Sequence, residues 1–258
     1  MGEFSTSERD GHILTVTINR PEVMNALHPA ANAELAGTWD EFQNDPDLWV
    51  AIITGAGDRA FSAGNDLKHQ ASGGDMSGQP ASGFAGLTAR FDLDKPVIAA
   101  VNGVAMGGGF EIALSCDIIV ASEQAVFALP EPRVGLAALA GGLQRLPRMI
   151  PLKQAMGMIL TGRRVGAEEG KQLGFVTDVA PHAELMDRAR SWAAQILECS
   201  PASVRASKQT VMRSLDIANL EESMKLGQYP AIGDLFRSPD FVEGPLAFAQ
   251  KRPPQWKG

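Results

Sequence analysis

The chain has 258 residues, 45% of them hydrophobic and 21% charged, a balance that supports a sizeable core and excludes a disordered or collagen-like chain. Lys and Arg number 23 against 30 Asp and Glu, a net charge of −7; no basic field is present to hold a polyanion, so nucleic acid is not an expected partner. The two cysteines, Cys116 and Cys199, are too few for a disulfide framework or a zinc knuckle and suit a reducing compartment.

The opening MGEFSTSERDG carries acids early and has no apolar h-region, so neither a signal nor a transit peptide is expected and the chain is placed in the cytoplasm. Leu14, Val16 and Ile18 alternate with Thr15 and Thr17, the period of a half-buried strand. Arg20-Pro21 breaks it. A helix is predicted from Pro29 to about Phe42, with Leu35, Trp39 and Phe42 on one face. Residues 49–55 read as a buried strand ended by glycine, and 60–67 as a strand-to-helix turn. The Gly- and Ser-rich stretch 71–83 has little to bury and is expected as a long loop or lid.

A short helix is then predicted near 84–92, a strand through KPVIAAVNG, and a helix opened by the glycine turn of GGGFEIALSC. The charge-free stretch Pro96–Phe110 is 15 residues with five Gly or Pro, below the ~18–20 apolar residues of a membrane span. Two strands follow, DIIVAS and AVFAL. Helices are expected at 141–149, 152–160, 167–173, 182–198, 203–215, 220–228 and about 241–250, with a brief FVTDVA strand between. Pro29, Pro151 and Pro201 stand where helices begin. Strand-turn-helix units therefore fill the first half, and helices the second. No internal repeat is visible.

Three segments carry candidate chemistry. In AFSAGNDL, Gly64 lets the backbone turn so that the amides of Asn65 and Asp66 point outward, unless Asp66 simply caps a helix. In NGVAMGGGFEIALSC, three glycines open a helix whose free amides face whatever lies above them. Glu111 there is either a helix-start residue or a buried carboxylate with a task. In FALPEPRVGL, Glu131 is held between Pro130 and Pro132, with Arg133 a possible ion-pair partner and a surface loop the alternative. His12, His28, His69 and His182 read as scattered, without ligand spacing, so no metal is expected. Ser62 lies outside any GxSxG elbow, Cys116 reads as core, and no dinucleotide or phosphate-loop glycine pattern occurs.

Taken in order, RPEVMNAL, ITGAGDRAFSAGNDL, KPVIAAVNGVAMGGGFEIALSCDIIVAS, LPEPRVGL, LTGRRVGAEEGKQLGFVTDV and FAQKRPP resemble the crotonase, or enoyl-CoA hydratase/isomerase, family over nearly the whole chain. The resemblance implies an α/β fold, a spiral of strand-strand-helix units over residues 1–199. A helical trimerisation region, 200–258, would pack on that core or on a neighbouring subunit, with trimers pairing into hexamers. It implies an acyl-CoA thioester substrate whose CoA belongs to the substrate, with no separate cofactor. The oxyanion donors would be the backbone N–H groups of Asn65 and Gly108. Glu111 would hold and deprotonate water, and Glu131 would deliver a proton to C2. Met24, Ala26, Leu27 and the backbone from Ala63 through Gly64, Asp66 and Leu67 to Lys68 would border the CoA path. Lys68 either meets a phosphate or is a solvated helix residue; Lys251 and Arg252 either contact nucleotide phosphates or form a solvated basic tail.

The implied activity is enoyl-CoA hydration, syn addition of water to a 2-trans-enoyl-CoA. Carnitinyl-CoA dehydration, double-bond isomerisation and thioester hydrolysis are the alternatives within the family, and a non-catalytic acyl-CoA- or RNA-binding member the alternative outside catalysis. The stretch LAALAGG (136–142) departs from the Pro-Gly-rich form of many members and is similar to hydratase-like members that include carnitinyl-CoA dehydratases. Ala137, Ala138, Leu139 and Ala140 would line the acyl pocket.

Overall fold

The computed structural model describes residues 2–258. Strand β1 (Ser5–Asp10) pairs antiparallel with β2 (Ile13–Ile18) around Gly11, in the register Ser5 to Ile18. The sequence pattern missed β1 because STSERD has no apolar alternation. It is an edge strand whose one fully buried residue is Ser5, and it is anchored when Ser5 Oγ donates to the Glu34 carboxylate at 2.6 Å. Helix α1 (Pro29–Asn44) follows, burying Leu35, Trp39 and Phe42 as the spacing predicts.

The middle of the chain winds through two sheets. Strands β3 (Val50–Gly55), β5 (Val97–Val101) and β7 (Ile118–Ser122) enter one sheet; β4 (Ala60–Ser62), β6 (Val104–Met106) and β8 (Val126–Ala128) enter the other. With β9 (Val165–Gly166) and β10 (Asp178–Ala180), the sheets run β1-β2-β3-β5-β7-β10 and β4-β6-β8-β9. Each pair β3/β4, β5/β6 and β7/β8 is one turn of a spiral. The strand expected through KPVIAAVNG forms as β5 and ends at a corner at Asn102, whose side chain bonds the backbone of Gly55 and Gly57; β6, just past that corner, was not expected.

Because β4, β6 and β8 are parallel neighbours, their carboxyl ends lie side by side. The loops leaving those ends hold Gly64 and Asn65, Gly107 and Gly108, and Glu131. Grouped loops at the carboxyl ends of parallel strands are where α/β folds place ligands. Helix α2 (Leu67–Ala71) continues the first loop and α3 (Gly108–Ser115) the second. Behind them Phe110, Phe127 and Phe175 meet with ring centroids 5.1–5.2 Å apart.

Two expectations for helices fail. Residues 84–92 hold only a 3-10 turn, Phe84–Gly86, broken by Ala85 at φ +54°. The predicted 220–228 helix stops early and resumes after a gap as a 3-10 turn. The full helical series is α4 (Gly142–Met149), α5 (Leu152–Thr161), α6 (Ala167–Leu173), α7 (Leu185–Leu197), α8 (Pro201–Ser214), α9 (Leu220–Ser223), α10 (Pro230–Arg237) and α11 (Asp240–Gln250). Helix α10 went unforeseen.

Helix α8 ties the C-terminal helices to the core through polar bonds: Lys208 Nζ reaches Asp117 at 2.7 Å, and Gln209 Nε2 reaches Asp94 at 2.7 Å. Leu215, Leu220, Met224, Val242 and Phe248 are at least two-thirds exposed on this region. Among the described residues, no helix is long and apolar enough to cross a membrane.

Candidate active site

The first loop is set by a parallel bridge between Leu27 and Asn65. Leu27 N–H donates to Gly64 O at 2.8 Å, and Leu27 O accepts from Asp66 N–H at 2.9 Å. In such a bridge the middle residue turns its own N–H to the opposite side. Asn65 N–H therefore points away from Leu27 and, among the described residues, finds no acceptor. Gly108 N–H opens helix α3 and has none either. The two segments are in close approach, since a Cβ on Gly64 would lie 2.8 Å from Gly108 N. Two unspent main-chain donors thus stand on closely packed segments.

The outward amide expected of Asp66 is corrected, because that N–H is used in the bridge. Its carboxylate caps α2 by accepting from His69 N–H at 3.1 Å and pairs with Arg20 at 3.0 Å. Both contacts hold the Asp66 carboxyl below the usual carboxylate range, against its desolvation.

Glu111 lies in the first turn of α3 and is 3% exposed. Its Oε1 accepts from Gly142 N–H at 2.8 Å, the amide that begins α4. Burial pushes its pKa up to about 7, with the Glu131 carboxylate adding to the rise and the Gly142 bond opposing it. Glu131 begins the 3-10 turn Glu131–Val134 after β8. Its Oε1 overlies Gly107, where a Cβ would come within 2.8 Å of it. Its Oε2 is buried and, among the described residues, has no hydrogen-bond partner. Burial raises this pKa as well.

The expected partner for Glu131, Arg133, is elsewhere: its Nε donates to Thr161 O at 2.8 Å, at the end of α5. A carboxylate kept dry without a cation is costly. The arrangement therefore offers a group that trades protons near neutrality beside an acceptor left open, with Glu111 in the helix that Gly108 opens and Glu131 Oε1 over the Gly107 that precedes it.

The walls add detail that the sequence did not reveal. The Phe84 ring lies on Gly108, where a Cβ would sit 2.5 Å from Cε1. Ala85 N–H is fixed by Asn32 Oδ1 at 2.7 Å, and Phe84 N–H by Thr88 Oγ1 at 2.9 Å. Of the four residues expected to line an acyl pocket, only Ala138 is buried, against Gly142; Ala137 and Leu139 are exposed and Ala140 half-buried.

The residues expected along the CoA path divide. The side chains of Ala26, Leu27 and Asp66 are buried, so these positions build the frame rather than face it. Met24, at φ +58°, accepts from Ala63 N–H at 2.9 Å. Leu67 and Lys68 are exposed on α2. Lys251 is exposed and ends α11. Arg252 is not a free cation, since it binds both oxygens of Glu243 at 2.6 and 2.9 Å.

The histidines are less scattered than they read: His28 and His69 have ring centroids 5.2 Å apart, with His28 Nδ1 capping α1. Even so, among the described residues no group of three or more His, Cys, Asp and Glu is placed to hold a metal. A cavity of about 440 Å³ lined by Asp94, Arg205, Asp234 and Arg237 lies among the C-terminal helices and reaches neither glutamate.

Comparison with known proteins gives a consistent picture. The family described as enoyl-CoA hydratase/isomerase matches residues 8–258. A carnitinyl-CoA dehydratase from Shigella flexneri is 46% identical, with all of both chains covered. The solved enoyl-CoA hydratase of Mycobacterium tuberculosis superposes with a TM-score of 0.92 at 38% identity over all of both chains. A carnitinyl-CoA hydratase from Mycobacterium avium superposes with a TM-score of 0.79 at 38% identity, over 100% of this chain and 99% of that one.

Proposed function

The chain belongs to the enoyl-CoA hydratase/isomerase family, the crotonases, and from that membership we propose that it interconverts a 3-hydroxyacyl-CoA and its 2-enoyl-CoA, with carnitinyl-CoA as the first substrate to test. It is a hydro-lyase by its relatives. The sequence puts enoyl-CoA hydration first and carnitinyl-CoA dehydration among the alternatives within the family; the full-length carnitinyl-CoA dehydratase relatives at 46% identity favour the latter.

One observation carries the reading. Glu111, poised near 7, and Glu131, with an open buried oxygen, stand at the start of the helix opened by the unspent Gly108 amide, and the unspent Asn65 amide lies on the adjoining loop. In the dehydration direction, Glu131 accepts the C2 proton as charge moves to the thioester oxygen. Asn65 and Gly108 N–H hold that oxyanion, each such donor giving ~10²–10³ in rate. Glu111 then gives its proton to the C3 hydroxyl, which leaves as water while the C2–C3 double bond forms. Hydration is the same sequence reversed. Because the Glu131 charge acts on Glu111, the two carboxylates titrate as a pair, and a single proton shared between them serves both directions.

Met24, Ala63, Gly64, Leu67 and Lys68 border the CoA path in this reading, with Ala26, Leu27 and Asp66 shaping the backbone beneath it. Lys251 is a phosphate contact for the CoA of a neighbouring subunit. The division into a 1–199 core and a 200–258 helical region that meets other subunits belongs to the same proposal. It is supported by the exposed apolar side chains of α8, α9 and α11.

The deciding experiment is turnover of crotonobetainyl-CoA beside crotonyl-CoA and longer enoyl-CoAs, followed by loss of enoyl-thioester absorbance and by product mass. Crotonobetainyl-CoA is expected to give the highest kcat/KM. Hydration of crotonyl-CoA but not of crotonobetainyl-CoA restores simple enoyl-CoA hydration as the first reading, and no water added to any substrate ends both.

Phe84 supplies a second test. Its ring walls the space above Gly108, so Phe84→Ala opens that space. The ratio of kcat/KM for an eight-carbon to a four-carbon enoyl-CoA is expected to rise about tenfold, as a few buried methylenes are worth. An unchanged ratio would remove Phe84 from the acyl wall.

A further inference from the structure

We infer that Arg145 is a positioning residue that locks the carboxylate side of the pocket to the main-chain-donor side. The inference rests on the reading of Glu111 and Gly108 above and adds a residue that neither the motif set nor the mechanism uses.

Arg145 stands in the first turn of α4 and folds back toward its own helix start. A Cβ on Gly141, at φ +104°, would collide with Arg145 Nη1, so the guanidinium lies on the Gly141 backbone. The next amide, Gly142 N–H, is the one that holds Glu111 Oε1 at 2.8 Å. On its other side, Arg145 Nη2 donates to Thr88 O at 2.7 Å. Thr88 Oγ1 accepts from Phe84 N–H at 2.9 Å, and the Phe84 ring lies on Gly108.

A continuous chain of contacts therefore runs from Glu111 through the Gly141–Gly142 turn, Arg145, Thr88 and Phe84 to the oxyanion donor. The Phe91 ring closes over the guanidinium with its centroid 5.7 Å from Cζ. A planar fork that stacks and donates at once is a task lysine performs poorly.

The charge matters as well as the fork. Among the described residues, Arg145 has no carboxylate within ion-pair distance, so its field is not neutralised by a direct partner. The titratable groups facing it are Glu111 and Cys116. Those facing Glu111 are Glu131, which raises its pKa, and Arg145, which opposes that rise. Cys116 is driven upward by burial and stays neutral.

The test compares Arg145→Gln and Arg145→Lys with the unmodified enzyme. Two readouts are used: the pH dependence of kcat and kcat/KM for hydration, and the titration of the Glu111 carboxyl followed by NMR of glutamate-labelled protein. Arg145→Gln is expected to lower kcat by roughly ten- to a hundredfold, the range for losing a supporting contact to a catalytic group. KM for the CoA thioester should change less than threefold. The acidic limb, and the Glu111 titration with it, should move to higher pH, because removing a cation disfavours the carboxylate.

Arg145→Lys should return the limb and the titration to their original pH while leaving kcat low, since charge is restored and the fork is not. If Arg145→Gln does not fold, Arg145→Lys decides: a kcat equal to that of the unmodified enzyme overturns the proposal. A folded Arg145→Gln with unchanged limb, titration and kcat overturns it too. Should the unmodified enzyme hydrate no enoyl-CoA, the functional reading fails, but the Glu111 titration still decides whether Arg145 acts on that carboxyl.

Discussion

Glu111→Gln and Glu131→Gln are each expected to lower kcat by ~10²–10⁴-fold, the contribution of a positioned acid–base group, and at pH 8 each is expected to melt at a higher temperature than the unmodified protein. Both effects come from one fact. Glu111 is 3% exposed, is opposed by a second, half-buried carboxylate, and has its pKa pushed from 4.5 to about 7.

A carboxyl whose pKa is raised on folding binds its proton more tightly in the folded state. Stability is therefore unaffected by it below about pH 4.5 and falls as pH climbs towards 7. Above 7 the full penalty applies, on the order of 3 kcal/mol for Glu111 at 1.36 kcal/mol per unit. Glutamine is nearly the same size, never ionises, and keeps an oxygen for Gly142 N–H. Its benefit should thus be present at pH 8 and absent at pH 4.5. Glu131 has the same sign, since burial raises its pKa and Oε2 has no partner.

The double variant should be hardly slower than either single one, because groups that act on one proton fail together. Melting curves at the two pH values beside turnover assays check this. Variants that lose activity with no gain in stability at pH 8 would show the glutamates to be paired in the folded state after all, contrary to the geometry.

The turns that hold the candidate site were legible from local chemistry, and its connections were not. Gly64, the Gly107–Gly109 run and Pro130-Glu131-Pro132 mark the ends of β4, β6 and β8 because sharp turns need residues of those types. Strand β1 was hidden since an edge strand with one buried residue leaves no alternation to see. Helix α10 was hidden by its flanks: the preceding segment is only a single 3-10 turn, Leu226–Gln228, with Gly227 inside it, and Pro230 restarts the chain as a helix directly after it.

Arg133 shows the limit of reading neighbours as partners. Two residues from Glu131, it binds the end of α5 instead, because the 3-10 turn carries its side chain away from the carboxylate. The links from Arg145 to Thr88 and from Asn32 to Ala85 span 57 and 53 residues. Nothing in the local pattern at either end marks them. Asp66 had two readings, and the bridge from Leu27 decides between them by taking its amide.

Gly64→Ala is expected to cut kcat/KM by at least ~10²–10³-fold, the loss of one oxyanion donor, while binding of a saturated acyl-CoA weakens less than tenfold. The methyl group would lie 2.6 Å from Met106 O and 2.8 Å from Gly108 N, distances at which something must move. Both neighbours are main-chain atoms of the β6 loop, so no rotamer change relieves the clash. The loop after β4 must retreat from the start of α3, and the two amides then no longer converge.

Residue 64 also sits at φ +85°, where an L side chain costs ~1–2 kcal/mol. That strain must be separated from the clash, and Gly174→Ala does so. Gly174 has φ +102° with nothing within 4 Å of the added carbon, and it ends α6 far along the chain from the three loops. It is expected to lose only the strain part, ~1–2 kcal/mol, and keep its turnover. If Gly64→Ala hydrates enoyl-CoA within tenfold of the unmodified enzyme, Asn65 and Gly108 do not share an oxyanion, and the charge on the thioester oxygen is held by other groups.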